Sequence, residues 1–269
     1  MKPALQAGGH RPGTRTPGSS SSLQPAVSSP CRREIGGFRL EFAPSGKLRT
    51  LVLPSGASLL HREDRDFDLG GGRLFRPEGW DECFPTIEPW NGSPAMGELV
   101  WAEPDVQETP GEIEQVWNRP DFVAARGFRL RSARELELAF RVRNRSGGPL
   151  EFLWASHAVF SIEGLAEVRL PDGGLLDDFS LDGSSSKFFA RSGPALRLRR
   201  AEGEVRLTTD QPWWGIWLNR GGWPERRPAG MGCIGIEATN CAADRPQGAV
   251  LEADAWFRGA VIVEDCGDR

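Results

Sequence analysis

The sequence contains no tyrosine, and lysine and histidine are nearly as scarce. Lysine occurs only at Lys2, Lys47 and Lys187, and histidine only at His10, His61 and His157; arginine supplies the other 30 of the 33 basic side chains (33 − 3). With a formal charge of −4 and no basic stripe, nucleic acid is not expected as a partner. The skew toward arginine reads as the mark of a GC-rich genome rather than of a phosphate-binding surface. No apolar run approaches membrane-spanning length, so no membrane partner is expected. The N-terminus lacks the apolar core of a secretory signal. The five cysteines, Cys31, Cys83, Cys233, Cys241 and Cys266, are odd in number and none are spaced C-x-x-C. That argues against a disulfide framework and against a zinc site, and makes a reducing, cytoplasmic location the expectation.

What the chain does have is length, turns and tryptophan. Its 269 residues can bury a core without disulfides, as one large β domain or two small ones. Residues 1–33 are rich in Ser, Gly, Pro and Arg, with the run Ser19–Ser22, and read as a disordered tail ahead of a folded domain over 34–269. His10 falls in that tail. From Glu34 onward the period is two: Phe38, Leu40 and Phe42 alternate with polar residues, as do Leu136, Leu138, Phe140 and Val142. Further strands are expected over 48–53, 57–60, 150–160 and 249–263, separated by turns such as Pro44-Ser45-Gly46. No long stretch has helical periodicity, so the fold class expected is all-β, a sandwich or barrel.

Three stretches could carry chemistry. In Trp80-Asp81-Glu82-Cys83-Phe84-Pro85-Thr86-Ile87-Glu88-Pro89-Trp90, carboxylates and tryptophans sit between prolines. This reads as a structured loop, either offering Asp81 and Glu82 to sugar hydroxyls or pairing with arginines such as Arg76. In Phe152-Leu153-Trp154-Ala155-Ser156-His157-Ala158-Val159-Phe160, His157 interrupts an apolar strand as a structural or a catalytic imidazole. His61, in a charged turn, reads as solvated. In Trp213-Trp214-Gly215-Ile216-Trp217-Leu218-Asn219-Arg220-Gly221-Gly222-Trp223-Pro224, the tryptophans around Asn219 are either a stacking platform for a sugar or an aromatic core plug. Glu237 then breaks the run Ile234-Gly235-Ile236-Glu237-Ala238-Thr239. Ile234 and Ile236 share one strand face, so Glu237 projects from the other, toward a cleft or toward water.

In this order the motifs resemble the aldose 1-epimerase, or galactose mutarotase-like, superfamily, and most of all its divergent bacterial branch. The likeness runs from about residue 34 to 265, with Asp244 following the last motif. It implies an antiparallel β-supersandwich whose concave sheet binds a monosaccharide and interconverts its anomers. It also implies that Glu237 is the base at the anomeric hydroxyl and His157 the acid at the ring oxygen, with no metal or organic cofactor. Asp81, Glu82, Trp154, Trp217, Asn219 and Trp223 are the expected sugar contacts. Arg76 is the expected substrate arginine, with Arg119 and Arg126 as alternatives. One departure stands out: Ala95-Met96 occupies the place of an Asp-His pair, so a second histidine is missing. A carbohydrate-binding domain with a degenerate site is therefore the alternative function.

Overall fold

Alternating strands bury one face each, and those faces must cover one another. In the computed structural model, which describes residues 31–224 and 231–267, they do so as two antiparallel sheets around a shared core. The first sheet has eight strands, in the order Cys31–Ile35, Phe38–Phe42, Leu48–Val52, Trp80–Cys83, Ala155–Ser161, Gly232–Thr239, Trp213–Arg220 and Ser184–Arg191. The second has nine, with Trp256–Asp265, Glu135–Asn144 and Phe122–Ser132 at its centre. Among the described residues the helical content is a single 3-10 turn, Leu99–Trp101. The expected all-β, antiparallel architecture is the one found. No helix among the described residues is long and apolar enough to cross a membrane.

The core lies between the sheets. Leu136, Leu138, Phe140 and Val142 face it from the second sheet, and Phe38, Leu40, Trp80, Trp214 and Ile236 from the first. Each such side chain contributes roughly 1.5–3 kcal/mol by leaving water. The topology brings distant segments together: Trp80–Cys83 and Gly232–Thr239 both pair with Ala155–Ser161.

Several local expectations are corrected. The Trp80 segment is an interior strand with all four residues buried, not a loop, because its prolines begin only at Pro85, after the pairing ends. The strand expected over 150–160 breaks at Phe152, Leu153 and Trp154. Their amides donate to Ala249 O, Pro85 O and Asn240 Oδ1 instead of to a neighbouring strand. Residues 57–60 make only isolated bridges. The region 249–263 divides into Val250–Leu251 and Trp256–Asp265. Of the tail expected over 1–33, residues 1–30, with His10, lie outside the described residues, while Cys31, Arg32 and Arg33 belong to the first strand. His61 is half-buried rather than solvated, with its Nε2 shielded and unpartnered. All five cysteines are free.

Candidate functional site

Strand register aligns Asp81, His157, Glu237 and Gly215 in one row across the middle of the first sheet. Successive side chains on a strand face opposite ways. The next row, Glu82, Ser156, Ala238 and Trp214, therefore turns into the space between the sheets, while the His157 row faces out under the connecting loops. There a cavity of about 210 Å³ is lined by Leu69, Phe75, Pro77, Ile87, Met96, His157, Lys187, Trp217, Trp223, Glu237 and Asp244. That is small against the roughly 300–1,000 Å³ of pockets for drug-sized ligands, and fits a compact polar molecule.

The floor is His157 and Glu237, 6 % and 1 % exposed. His157 Nε2 lies 3.3 Å from Glu237 Oε1, and Nδ1 is buried without a partner. Lys187 Nζ donates to Glu237 Oε1 at 2.9 Å and Oε2 at 2.7 Å, and to Asp244 Oδ1 at 2.5 Å. Glycine makes room for this arrangement. A Cβ on Gly215 would lie 2.9 Å from Glu237 Oε2, and one on Gly235 would lie 3.2 Å from the Trp217 ring. One wall is the edge-to-face pair Trp217 and Trp223, with ring centroids 5.5 Å apart. Apolar Leu69, Phe75, Ile87 and Met96 supply the rest.

Burial pushes the Glu237 carboxyl up, but Lys187 and then His157 more than offset it, leaving it below the ordinary carboxylate range. Burial also lowers His157, and Glu237 opposes this only in part, so the imidazole is neutral at pH 7. For Lys187 the penalty of burial is outweighed by Glu237 and Asp244, and its ammonium is held. Burial raises Asp244 despite Lys187. The floor thus combines an ionised acceptor, a neutral imidazole and a fixed cation. Among the described residues no group of three or more His, Cys, Asp and Glu is placed to hold a metal ion.

The expected site residues separate into groups. Glu237, His157, Trp217 and Trp223 meet at the cavity. Asp81 joins the same row but is sealed beside them, 2.9 Å from Lys47 Nζ. Asn219 is fully buried behind the wall; its Nδ2 donates to Trp223 O and its Oδ1 accepts from Trp223 N, both at 3.0 Å. It holds Trp223 rather than lining the cavity.

Glu82 and Trp154 lie elsewhere, because strand parity and the break at 152–154 turn both between the sheets. Trp154 stacks on Phe140 and donates to Glu82 Oε2 at 2.8 Å; Ser156 Oγ donates to Glu82 Oε1 at 3.0 Å. Burial raises Glu82 to about 7, against the pull of Arg126. Arg76 pairs with Asp66 and lines a separate cavity of about 420 Å³. Of its alternatives, Arg126 is 1 % exposed in the core and Arg119 pairs with Glu98.

Sequence reasoning missed Lys187, and placed Asp244 only as the tail of a motif. The available signal was rarity. Outside the first 30 residues an arginine-rich chain has two lysines, and each engages a carboxylate of the His157 row or its neighbour.

No family model and no curated protein matches the chain in sequence. Solved structures do match in fold. A candidate aldose 1-epimerase from Klebsiella pneumoniae superposes with a TM-score of 0.66 at 13% identity, covering 87% of this chain and 78% of that one. One from Escherichia coli K12 gives 0.63 at 13%, covering 88% and 98%. The GalM/aldose epimerase homologue from C. elegans gives 0.57 at 12%, covering 89% and 100%. The chain has the fold of these proteins, the galactose mutarotase-like β-sandwich.

Proposed function

We propose that the cavity binds a monosaccharide and interconverts its anomers. Glu237 takes the proton of the anomeric hydroxyl, and His157 donates to the ring oxygen as the ring opens. Rotation about C1–C2 and closure with the two roles reversed give the other anomer. The observation that carries this reading is the pairing of Glu237 and His157, 3.3 Å apart on adjacent strands, under a Trp217–Trp223 wall in a cavity of monosaccharide scale. Ionised Glu237 is competent to accept a proton. Neutral His157 can direct its N–H at the ring oxygen as a hydrogen bond; full transfer is made by the imidazolium, which becomes neutral as the ring opens and takes the proton back on closure.

Charge favours an uncharged sugar. Two carboxylates, Glu237 and Asp244, face one Lys187, while Lys47 offsets Asp81. Carboxylates outnumber lysines three to two around the floor, which disfavours a sugar phosphate.

A second reading, a carbohydrate-binding domain without turnover, is favoured by two observations. Met96 lines the cavity at the position where the resemblance implies a histidine, and Lys187 engages both oxygens of the base.

NMR exchange spectroscopy or polarimetry on freshly dissolved α-aldoses separates the two. Catalysed exchange that falls at least about a hundredfold in Glu237→Gln and His157→Ala supports the enzyme. No rate above buffer, with sugar-dependent tryptophan quenching retained, supports the binding domain.

A further inference from the structure

Lys187 stands in the cavity with all three of its N–H donors engaged, two on Glu237 and one on Asp244. It belongs to the strand Ser184–Arg191, at the end of the sheet, and pairs in register with Trp217. To reach Glu237 its side chain crosses from the Trp217 row to the Gly215 row. Glu237 is 1 % exposed and its Oε1 also faces His157. Lys187 touches both oxygens, so a sugar hydroxyl that arrives at this carboxylate from the cavity competes with the ammonium.

The contact able to yield is the one to Lys187. The side chains of Lys187 and Asp244 are 20% and 24% exposed, at the outer edge of the cluster, against 1% for Glu237 and 7% for His157. A lysine stem is long and flexible and ends in a compact charge, where arginine would present a rigid two-pronged fork. Asp244 gives the ammonium a second anchor, so releasing Glu237 does not leave the cation unpaired.

We propose that Lys187 is a retractable counter-ion for the base: it clamps Glu237 in the empty cavity, and an incoming sugar hydroxyl takes its place while the ammonium stays with Asp244. This rests on Glu237 being the base. Lys187 forms no bond to the sugar and keeps its protons; the anomeric proton goes to Glu237. Moving a cation away from a buried carboxylate raises its proton affinity, so the clamp keeps Glu237 ionised when empty and makes it a stronger base once the sugar is seated. The charged and titratable groups around Glu237 are His157 from the adjacent strand, Lys187 from the sheet end, Asp244 from the loop above, and Asp81 with Lys47 and the buried Cys83 thiol one strand further on. Lys187 is a positioning residue in this scheme.

The test is the pH dependence of anomer exchange with D-glucose and D-galactose in the full chain. For the wild type, the acid limb of kcat/KM should lie below the ordinary carboxylate range. In Lys187→Met, Glu237 and Asp244 face each other without a cation, and the limb should rise by at least about one pH unit. In Lys187→Arg the fork holds both carboxylates, so kcat should fall while the limb stays low. A limb that does not move in Lys187→Met, or a uniform loss of rate at every pH, overturns the proposal. Lys187→Gln gives the same readings if the methionine variant does not fold.

If the wild type exchanges no anomers, the mutarotase reading fails by itself. The clamp is then read without sugar, from tryptophan fluorescence titrated with acid. A transition absent in Glu237→Gln should move upward in Lys187→Met; one that stays in place overturns the clamp.

Discussion

Gly215→Ala should separate catalysis from stability. The added Cβ would sit 2.9 Å from Glu237 Oε2 and 3.2 Å from Phe189 Cε1. Ordinary contact begins near 3.4 Å, so the carboxylate must retreat by about 0.5 Å (3.4 − 2.9). Glu237 cannot do so without lengthening its 2.7 and 2.9 Å bonds to Lys187 or its 3.3 Å approach to His157. A displacement of about 1 Å at reacting groups costs about a hundredfold in rate, so half of that should cost about tenfold. The stability change is bounded separately. Alanine is favoured over glycine within a strand by roughly 0.5–1 kcal/mol, against an overpacking cost of about 1–3 kcal/mol. The expected result is a variant still folded, its melting temperature lowered by no more than about 10 °C, with anomer exchange by NMR reduced about tenfold. A folded variant that exchanges anomers at the wild-type rate would refute Glu237 as the base.

Three further outcomes follow from the same geometry. Burial raises Glu82 to about 7 from an ordinary 4.5, so the folded state binds its proton more tightly than the unfolded chain does. That stabilisation is complete below pH 4.5 and is lost as pH rises through 7. The stability difference between wild type and Glu82→Gln, from urea melts, should fall by about 3 kcal/mol between pH 4.5 and 8; a difference independent of pH would contradict it. Asn219→Ala removes both bonds to the Trp223 backbone and leaves buried groups unpaired, at a cost of about 1–3 kcal/mol. Sugar affinity by titration calorimetry should weaken with it, whereas unaltered affinity would mean that Trp223 is not part of the wall. Met96 has φ 65°, a left-handed conformation in which histidine is enriched over most side chains, so Met96→His should be tolerated and add a second imidazole beside the sugar. Faster anomer exchange with a new pH-dependent limb is expected; an identical pH profile would show that this wall does not touch the reacting atoms.

Much of the architecture was legible because strand period is a local property. The alternation in Glu135–Asn144 fixed which residues face the core, and the same parity placed Glu237 opposite Ile234 and Ile236. What local pattern does not carry is pairing. The prolines near Trp80 suggested a loop, yet they begin only at Pro85, and Trp80–Cys83 is a central strand because its partner Ala155–Ser161 lies 72 residues away or more (155 − 83), beyond the reach of a local pattern. Parity within that strand also separates Asp81 from Glu82, but the two exchange roles unless it is known which face is covered by the second sheet. Lys187 was illegible for a related reason. Nothing in Ser184–Arg191 itself points at a site, and only the diagonal reach across two neighbouring strands brings the Lys187 ammonium to Glu237.

Glu82 and Glu237 make the last distinction clear. Both are buried glutamates on the two central strands that flank Ala155–Ser161, one step apart in register and on opposite faces, and each has a basic partner. Burial carries Glu82 up to about 7, while Glu237 is held low. The difference lies in how the partner is anchored. Arg126 is fixed by bonds to Gln115 Oε1, Gly46 O and Trp80 O, so it keeps its place whether or not Glu82 is ionised, and its nearest approach to Glu82 is 3.5 Å. Lys187 is anchored through carboxylates alone, one of them near solvent. A cation locked by backbone carbonyls belongs to the fold and cannot respond to a ligand. A cation held only by the carboxylate it neutralises, with a second acceptor within reach, can be exchanged for a sugar hydroxyl at little cost. On the proposed mechanism, that asymmetry, rather than burial or charge as such, is what would set Glu237 apart as the base and leave Glu82 a core residue.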